Sequence, residues 1–229
     1  MLYSLYRNTC MRRCSNLKRF STSKSHKLSL NCWKCGSKLS SQFCIFCDSC
    51  NKIQKINIDN ISYFDIFSLK PIYKMDPKVL ESSFKHLQNL IHPDKFNNES
   101  IYEKDLSIFN SSIINQAYSV LKSPVDRIGY LLSINGCNVL SENSGTYTNN
   151  PALMIEIFNL REEIENLSNI NELEVKGQEI VEIANKLSSE IEILWDSDDI
   201  SRVIPHAVRM KYLFKVYTTF MIYIYFILI

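Results

Sequence analysis

The sequence of 229 residues predicts an all-α protein: a helical hairpin and a C-terminal antiparallel three-helix bundle, preceded by a small zinc-ribbon-like element with four cysteine ligands. Three observations carry this prediction. Apolar residues recur at steps of three and four through most of the chain, as on one face of an α-helix. Glycine and proline number only 5 and 6, so few positions would break helices. Five of the eight cysteines lie between Cys32 and Cys50.

The composition limits the classes of function. The chain carries 26 basic and 24 acidic residues, a net charge of +2, which gives no argument for nucleic acid as a partner. No set of residues in the sequence forms a nucleophile and base pair. We therefore expect a protein that is not an enzyme.

Residues 1–30 differ in composition from the rest of the chain. They contain seven Lys and Arg residues and no acid, since the first acidic residue is Asp48. A basic, Ser-rich and acid-free N-terminus is typical of a mitochondrial transit peptide, and Arg19-Phe20-Ser21 resembles a matrix-peptidase processing site. The alternative is a disordered basic tail or a wrongly assigned gene start.

Residues 31–55 form the predicted zinc-binding element. Two CxxC turns can present four thiolates to one tetrahedral ion. Gly36 and Asn51 follow two of the pairs and tolerate the left-handed backbone that such a turn requires. We therefore assign zinc to Cys32, Cys35, Cys47 and Cys50, and leave Cys44 spare. The alternatives are redox-active CxxC chemistry or free thiols.

Two helices with a loop between them are predicted around Ile91-His92-Pro93-Asp94-Lys95-Phe96. Asp76-Pro77 is a start signal for the first helix, with a side-chain acceptor before the residue favoured at the first helical position. Pro93 disfavours a helical conformation at His92, so the first helix should end there. Apolar residues recur at helical steps on both sides of the loop. Before the loop they are Val79, Leu80, Phe84, Leu87, Leu90 and Ile91. After the loop they are Leu106, Phe109, Ile113, Ala117, Val120 and Leu121.

This hairpin resembles the J-domain of DnaJ-type co-chaperones. The surrounding motifs, at their spacing, are similar to those of the HscB/Jac-type J-proteins of iron–sulfur cluster assembly, over roughly residues 31 to 213. The motifs are Tyr63 to Leu69, Ile114-Asn115-Gln116-Ala117-Tyr118, Leu121-Lys122-Ser123-Pro124, Arg127 and Tyr130-Leu131-Leu132, and the N-terminal CWxCG element matches eukaryotic members. The J-domain should span residues 61–134.

The resemblance implies that His92, Pro93 and Asp94 engage a DnaK-type chaperone and trigger its ATP hydrolysis. The physics of the loop agrees, because Pro93 fixes the backbone and Asp94 can pair with an arginine of the partner. Lys85 lies largely off the apolar stripe of its helix and is expected to steer the loop to an acidic chaperone surface. The alternative for Lys85 is an ordinary solvated face.

A polar linker is predicted at residues 135–150 and a three-helix bundle at 151–215. One core stripe of the first bundle helix consists of Leu153, Ile157, Leu160, Ile164 and Leu167. At about 100° per residue, a second face gathers Met154, Ile155, Phe158 and Glu162 away from this stripe. An exposed apolar face of this kind is typical of a binding site. The third helix should begin near Ser197-Asp198, and Pro205 should kink it or end a turn there.

In the resembled family this bundle binds an IscU-type iron–sulfur scaffold. The family's contact residues carry over to Met154, Ile155, Phe158, Glu162 and Tyr212, whereas Asn159 replaces an acidic residue of bacterial members. The alternative is that Met154 and Phe158 pack against the J-domain or a neighbouring helix.

The apolar tail at residues 216–229 carries no charge and departs from the family. It is shorter than the roughly twenty residues that span a bilayer. The sequence leaves open a membrane anchor, a helix end or a mispredicted last exon, and we favour the last. A membrane partner is expected only if the tail is genuine.

Together these features predict a co-chaperone of the mitochondrial matrix that binds zinc, a DnaK-type chaperone and an IscU-type scaffold. It would present the scaffold to the chaperone and promote cluster transfer. The alternatives are a general-purpose mitochondrial J-protein for unfolded clients, a zinc-ribbon nucleic-acid binder and a thiol oxidoreductase.

Overall fold

The computed structural model describes residues 31–41, 43–59, 61–140 and 150–227. In these ranges it contains seven α-helices, one 3-10 helix and two isolated β-bridges, which confirms the all-α fold class. The chain divides into two compact units, with the boundary between Asp126 and Arg127. The predicted transit peptide, 1–30, and linker residues 141–149 lie outside the described residues.

The first unit contains the predicted hairpin. A short helix, α1 (Tyr63–Ile66), precedes α2 (Pro77–Ile91), a 3-10 turn (Pro93–Phe96) and α3 (Ile101–Lys122). The side chain of Asp76 accepts a hydrogen bond from the Lys78 N–H, and Pro77 is the first helical residue, as predicted. α2 ends at Ile91, and His92 has φ −56° and ψ 129°, so the predicted end before Pro93 is confirmed.

Fewer residues of α2 are buried than the apolar repeat of the sequence predicts. On α2, Leu80, Leu87 and Ile91 are buried. Val79 and Leu90 belong to the same predicted repeat but are 47% and 40% exposed. Apolar spacing alone therefore overstates the width of the buried stripe.

Helix α4 (Pro124–Ile134) contains the boundary between the two units, which follows its third residue. The predicted J-domain range, 61–134, therefore crosses this boundary. In the later part of α4, Ile128, Leu131 and Leu132 are fully buried.

The second unit also contains the three bundle helices α5 (Pro151–Glu165), α6 (Ile170–Asp196) and α7 (Ile200–Ile227). α7 packs against both of the others. The carboxylate of Glu190 lies 3.3 Å from His206, whereas Gly177, thirteen residues earlier on α6, faces Phe220 on the later part of α7. α6 and α7 therefore run antiparallel.

Helix α7 begins slightly later than predicted and does not stop at its proline. Ser197 caps the end of α6, and Asp198 has a φ of 60°, so these two residues form the turn between the helices. α7 then starts at Ile200 and continues through Pro205. Buried neighbours such as Val203 and Ala207 hold this part of the helix in the bundle. A helix end at Pro205 is excluded, and the predicted kink stays a prediction.

Residues 216–227 of the apolar tail continue α7. Val216 and Phe220 are each 2% exposed. A Cβ atom added to Gly177 would lie 3.1 Å from Cε1 of Phe220, so the absence of a side chain at Gly177 lets the two helices approach. Among the described residues, no helix combines the length and apolar character needed to cross a membrane.

Candidate functional sites

Two short turns position the four predicted metal ligands. The Gly36 N–H donates to the Cys32 carbonyl over 3.0 Å, and the Asn51 N–H donates in the same way to Cys47 over 2.8 Å. Gly36 and Asn51 have φ angles of 71° and 54°. The predicted left-handed residue after each of these pairs is therefore confirmed.

The structure brings together the four predicted cysteines, whose Sγ atoms all lie within 4.8 Å of one another. Two of the separations are 3.6 Å (Cys32 to Cys50) and 3.7 Å (Cys35 to Cys47). Zinc–sulfur bonds of about 2.3 Å in a tetrahedron require sulfur atoms roughly 3.8 Å apart. The cluster therefore has the spacing of a four-thiolate metal site, and it could bind a metal ion such as zinc.

The pKa values of Cys32, Cys35 and Cys50 are shifted in different directions. A hydrogen bond with the Ser37 side chain lowers the pKa of Cys35 to about 6. Burial opposes ionisation of Cys32, but hydrogen bonds from the N–H groups of Cys35 and Lys34 lower its pKa overall. The Lys52 backbone favours the Cys50 thiolate, yet burial and the three neighbouring thiols together raise its pKa to about 12. Crowded thiols thus resist complete ionisation, which a metal cation would promote.

Cys44 lies outside this cluster. Its thiol donates to the Phe46 carbonyl over 2.8 Å, and burial raises its pKa. The two turns explain why four cysteines cluster and Cys44 is spare. The residue after the Cys44-Cys47 pair is Asp48, which does not have the left-handed backbone found at Gly36 and Asn51.

Ion pairs and a ring contact join the cysteine element to α3 and to Glu99, just before that helix. Lys52 pairs with Glu99 and with the buried Glu103, at 2.9 and 3.0 Å. Trp33 packs edge-to-face on Tyr102 with 4.7 Å between ring centroids. The indole N–H of Trp33 donates to the Ile53 carbonyl over 2.6 Å, which ties the first cysteine turn to the segment after the second.

Asn110 makes a further connection to the cysteine element. Its amide N–H donates to the Gln54 carbonyl over 2.8 Å, and its oxygen accepts from the Ile56 N–H over 3.0 Å. Sequence reasoning missed this residue. A signal was available, because Asn110 follows Leu106 by four and precedes Ile113 by three, so it occupies a core position where a polar group needs a partner.

The His-Pro-Asp loop is exposed and ordered by local hydrogen bonds. The side chains of His92 and Asp94 are 55% and 81% exposed. His92 Nδ1 accepts from the Asp94 N–H over 3.3 Å, and Lys95 Nζ donates to the Asn89 carbonyl. Phe96 is 8% exposed and fixes the far end of the 3-10 turn in the core. The carboxylate of Asp94 is thus held at the surface, where an incoming donor can reach it.

Side chains of α3 anchor the helix that leads into this loop. The hydroxyl of the fully buried Ser107 donates to the Ile91 carbonyl, the last of α2, over 2.6 Å. One turn earlier, Gln88 accepts from Ser111 over 3.0 Å and donates to Asn115 over 2.8 Å. Sequence reasoning assigned no role to Ser107. It satisfies a terminal carbonyl that α2 itself leaves unpaired.

Lys85 lies on the outer face of α2, with a side chain that is 68% exposed. It pairs with Glu81, one turn earlier, at 2.6 Å, and this contact raises the pKa of Lys85. The structure therefore leaves the lysine available to a partner, in competition with a weak intrahelical ion pair.

The predicted scaffold-binding face of α5 is largely exposed. Ile155 and Phe158 are 61% and 65% exposed, Glu162 is exposed, and Met154 is half-buried. Phe158 is therefore not a core residue of its own unit. Tyr212, on α7, is half-buried.

Comparison with known proteins identifies the family. Residues 149–219 match the family model of the HSCB C-terminal oligomerisation domain. The chain is 32% identical over 151 residues to an iron–sulfur cluster co-chaperone protein HscB homolog of Arabidopsis thaliana, covering 65% of this chain and 57% of that protein. It therefore spans less than two thirds of the length of that relative.

A co-chaperone protein HscB homolog of Shewanella loihica is 32% identical over 142 residues, which cover 57% of this chain and 81% of that protein. Among solved structures, human co-chaperone protein HscB has a TM-score of 0.76 at 22% identity, over 84% of this chain and 98% of the human chain. This structural likeness confirms the fold. With the helical hairpin, the four-cysteine cluster and the matched C-terminal domain, these findings show that the chain belongs to the HscB co-chaperone family.

Proposed function

We propose that this protein is a J-type co-chaperone of iron–sulfur cluster assembly. It binds an IscU-type scaffold through its C-terminal bundle and stimulates the ATPase of a DnaK-type chaperone through its J-domain, so that the cluster is transferred. The observation that carries the proposal is the exposed and anchored His-Pro-Asp loop in a chain of the HscB family. The named relatives are co-chaperones, which supports a function other than catalysis.

The chaperone-binding residues are His92, Pro93, Asp94 and Lys85. The carboxylate of Asp94 accepts hydrogen bonds from an arginine of the chaperone, for which a two-point contact is the favoured geometry. Ser107 and Phe96 hold the two ends of the loop, so little conformational freedom is lost on binding. Lys85 supplies positive charge beside the loop for steering toward an acidic surface.

The scaffold-binding residues are Met154, Ile155, Phe158, Glu162 and Tyr212. Ile155 and Phe158 supply exposed apolar area on one face of α5. Large apolar side chains at the centre of an interface contribute most of the binding energy, and the neighbouring carboxylate of Glu162 sets the orientation of the partner.

Zinc bound by Cys32, Cys35, Cys47 and Cys50 has a structural role. Four-thiolate sites have no open coordination position, and metal binding stabilises the folded state of such elements. The element is fastened to α3 through Asn110 and Lys52, so it supports the helix that pairs with α2. The site of action is the mitochondrial matrix, which the basic N-terminus and a eukaryotic relative support.

The test is ATP hydrolysis by the mitochondrial DnaK-type chaperone, with this protein and the scaffold added separately and together. The two should stimulate synergistically. Asp94→Ala should abolish stimulation and leave scaffold binding intact, whereas Asp105→Ala, which removes an exposed carboxylate further along α3, should have no effect. Stimulation that survives Asp94→Ala would refute the role of the loop.

A second pair of variants separates the scaffold from general clients. Met154→Ala with Phe158→Ala should weaken scaffold binding about tenfold or more. Val175→Ala with Val181→Ala, which trims two exposed apolar side chains of α6, should not weaken it. Stimulation that ignores the scaffold would instead indicate a general-purpose J-protein.

A further inference from the structure

The later half of α7 carries an exposed apolar stripe that the proposed function does not use. The stripe consists of Phe214, Thr218, Met221 and Ile222, which fall within one arc of about 100° on a helix. Phe214, Met221 and Ile222 are 46%, 44% and 58% exposed. Tyr212 lies about 160° around the helix from Phe214, so the stripe is distinct from the proposed scaffold-binding face.

Positive charge accompanies this stripe. The last acidic residue of the chain is Asp199, so α7 contains no carboxylate. Arg209 is paired with Glu156, but Lys215 is exposed and, among the described residues, its ammonium group has no ionic partner. Lys215 lies at the edge of the stripe, three residues before Thr218 and seven before Ile222. Lys215 thus places a positive charge beside an apolar surface.

Thr218 in the stripe and Thr219 beside it have hydroxyls that are hydrogen-bonded within the helix. The hydroxyls of Thr218 and Thr219 both donate to the Lys215 carbonyl over 3.0 Å. Because these hydroxyl donors already have acceptors within the helix, their transfer out of water leaves no donor unpaired. From Val216 onward the sequence contains no charged residue.

The opposite face of the same turns is fixed in the bundle. Val216 and Phe220 are each 2% exposed, and Phe220 lies against Gly177 of α6. The stripe is therefore held facing outward on a packed helix. The described part of that helix, residues 200–227, does not qualify as a membrane span.

The area of the stripe argues against a second copy of the chain as its occupant. Three side chains, each about half exposed and offering roughly 200 Å² in full, present about 300 Å². A stable protein interface needs about 800 Å² per partner. A bilayer surface has no such requirement, because apolar residues insert into it individually and nearby cations add attraction to anionic headgroups.

From these observations we infer that the α7 stripe is a peripheral membrane-binding surface for anionic lipids. Phe214, Met221 and Ile222 insert at the boundary between headgroups and acyl chains, and the Lys215 ammonium pairs with lipid phosphate. The protein would bind one leaflet reversibly without spanning it. Met221 and Ile222 lie beyond residues 149–219, the region that matches the family domain, whereas Phe214 and Lys215 lie within it.

The test is co-sedimentation of the full chain with vesicles of phosphatidylcholine, either alone or with about 30% cardiolipin to make the surface anionic. Wild type should bind the anionic vesicles, and binding should fall as salt rises. Met221→Glu with Ile222→Glu should weaken binding at least tenfold. Val175→Glu with Val181→Glu introduces the same charges on exposed residues of α6 and should leave binding unchanged.

The basic first thirty residues are identical in all these proteins, so the comparison between variants isolates the stripe. A second measurement reads insertion directly: lipids with brominated acyl chains should quench the added fluorescence of Ile222→Trp and not that of Val175→Trp. Equal binding by the Met221/Ile222 variant, or equal quenching of the two tryptophans, would overturn the inference. A wild-type dimer that this variant dissociates, without vesicle binding, would overturn it in favour of self-association.

Discussion

Asn110 is expected to be the main polar link between the cysteine element and the helical hairpin. Its side chain makes one hydrogen bond to the Gln54 carbonyl and one from the Ile56 N–H, at 2.8 and 3.0 Å. Asn110, Gln54 and Ile56 are at most 3% exposed. Asn110→Ala would therefore leave two buried backbone groups without partners.

The magnitude follows from those two groups. A buried donor or acceptor left unsatisfied costs about 1–3 kcal/mol, so the loss of two partners in Asn110→Ala should lower the free energy of unfolding of the first unit by about 2–6 kcal/mol. That is a large part of the roughly 5–15 kcal/mol that stabilises a domain. With a urea dependence of about 2 kcal/mol per molar, the unfolding midpoint should fall by about 1–3 M.

The assay is urea unfolding followed by the fluorescence of Trp33, which belongs to the first unit and contacts Tyr102. The chain has only one other tryptophan, Trp195, and all proteins should carry Trp195→Phe so that the signal reports one unit. Each sample should contain one equivalent of zinc per chain.

Asn115→Ala is the matched control for this experiment. Asn115 is an exposed residue of the same helix and makes one hydrogen bond, to Gln88 at 2.8 Å. Its loss should cost at most about 1 kcal/mol, because water replaces the partner. If Asn110→Ala costs no more than Asn115→Ala, the paired hydrogen bonds do not hold the element to α3.

Two further predictions address the apolar tail and the cysteine cluster. Phe220→Ala should lower the free energy of unfolding by about 3 kcal/mol, because it removes a 2% exposed ring, whereas Phe214→Ala, at 46% exposure, should cost about 1 kcal/mol or less. Thermal unfolding followed by circular dichroism measures both, and equal effects would contradict the packing of the tail. Cys47→Ser should lose bound metal while Cys44→Ser keeps one ion per chain, as elemental analysis of the purified proteins can show. Loss of metal from both variants would contradict the assignment of the ligands.

The helix boundaries around the loop follow from local chemistry, and the sequence was sufficient to predict them. Asp76 and Pro77 start α2, and Pro93 ends it at His92, because each acts through the backbone of its immediate neighbours. The same holds for Gly36 and Asn51, which tolerate a positive φ. On that ground the sequence predicted the two cysteine pairs that the structure brings together. Each inference needed only a few consecutive residues.

The contacts of α3 were decided by the tertiary structure. Ser107 and Asn110 are polar residues with no exposure, and their partners lie 16 to 56 residues away in the chain. Periodicity places a residue on a helix face but does not indicate which distant carbonyl or N–H that face will meet. Val79 and Leu90 illustrate the same limit, since both lie in the apolar repeat and both remain exposed.

The apolar tail depends in the same way on a distant partner. The run from Val216 onward is apolar and uncharged, so its composition suits a membrane anchor, a mispredicted last exon or a packed helix. No nearby residue distinguishes these interpretations. In the folded chain, Gly177 of α6 provides the space that Phe220 fills. The sequence by itself determined where local segments begin, turn and end, because these depend on the steric and hydrogen-bonding preferences of adjacent residues. Only the tertiary structure decided which buried polar groups are paired and which apolar residues stay at the surface, because both depend on segments far apart in the chain.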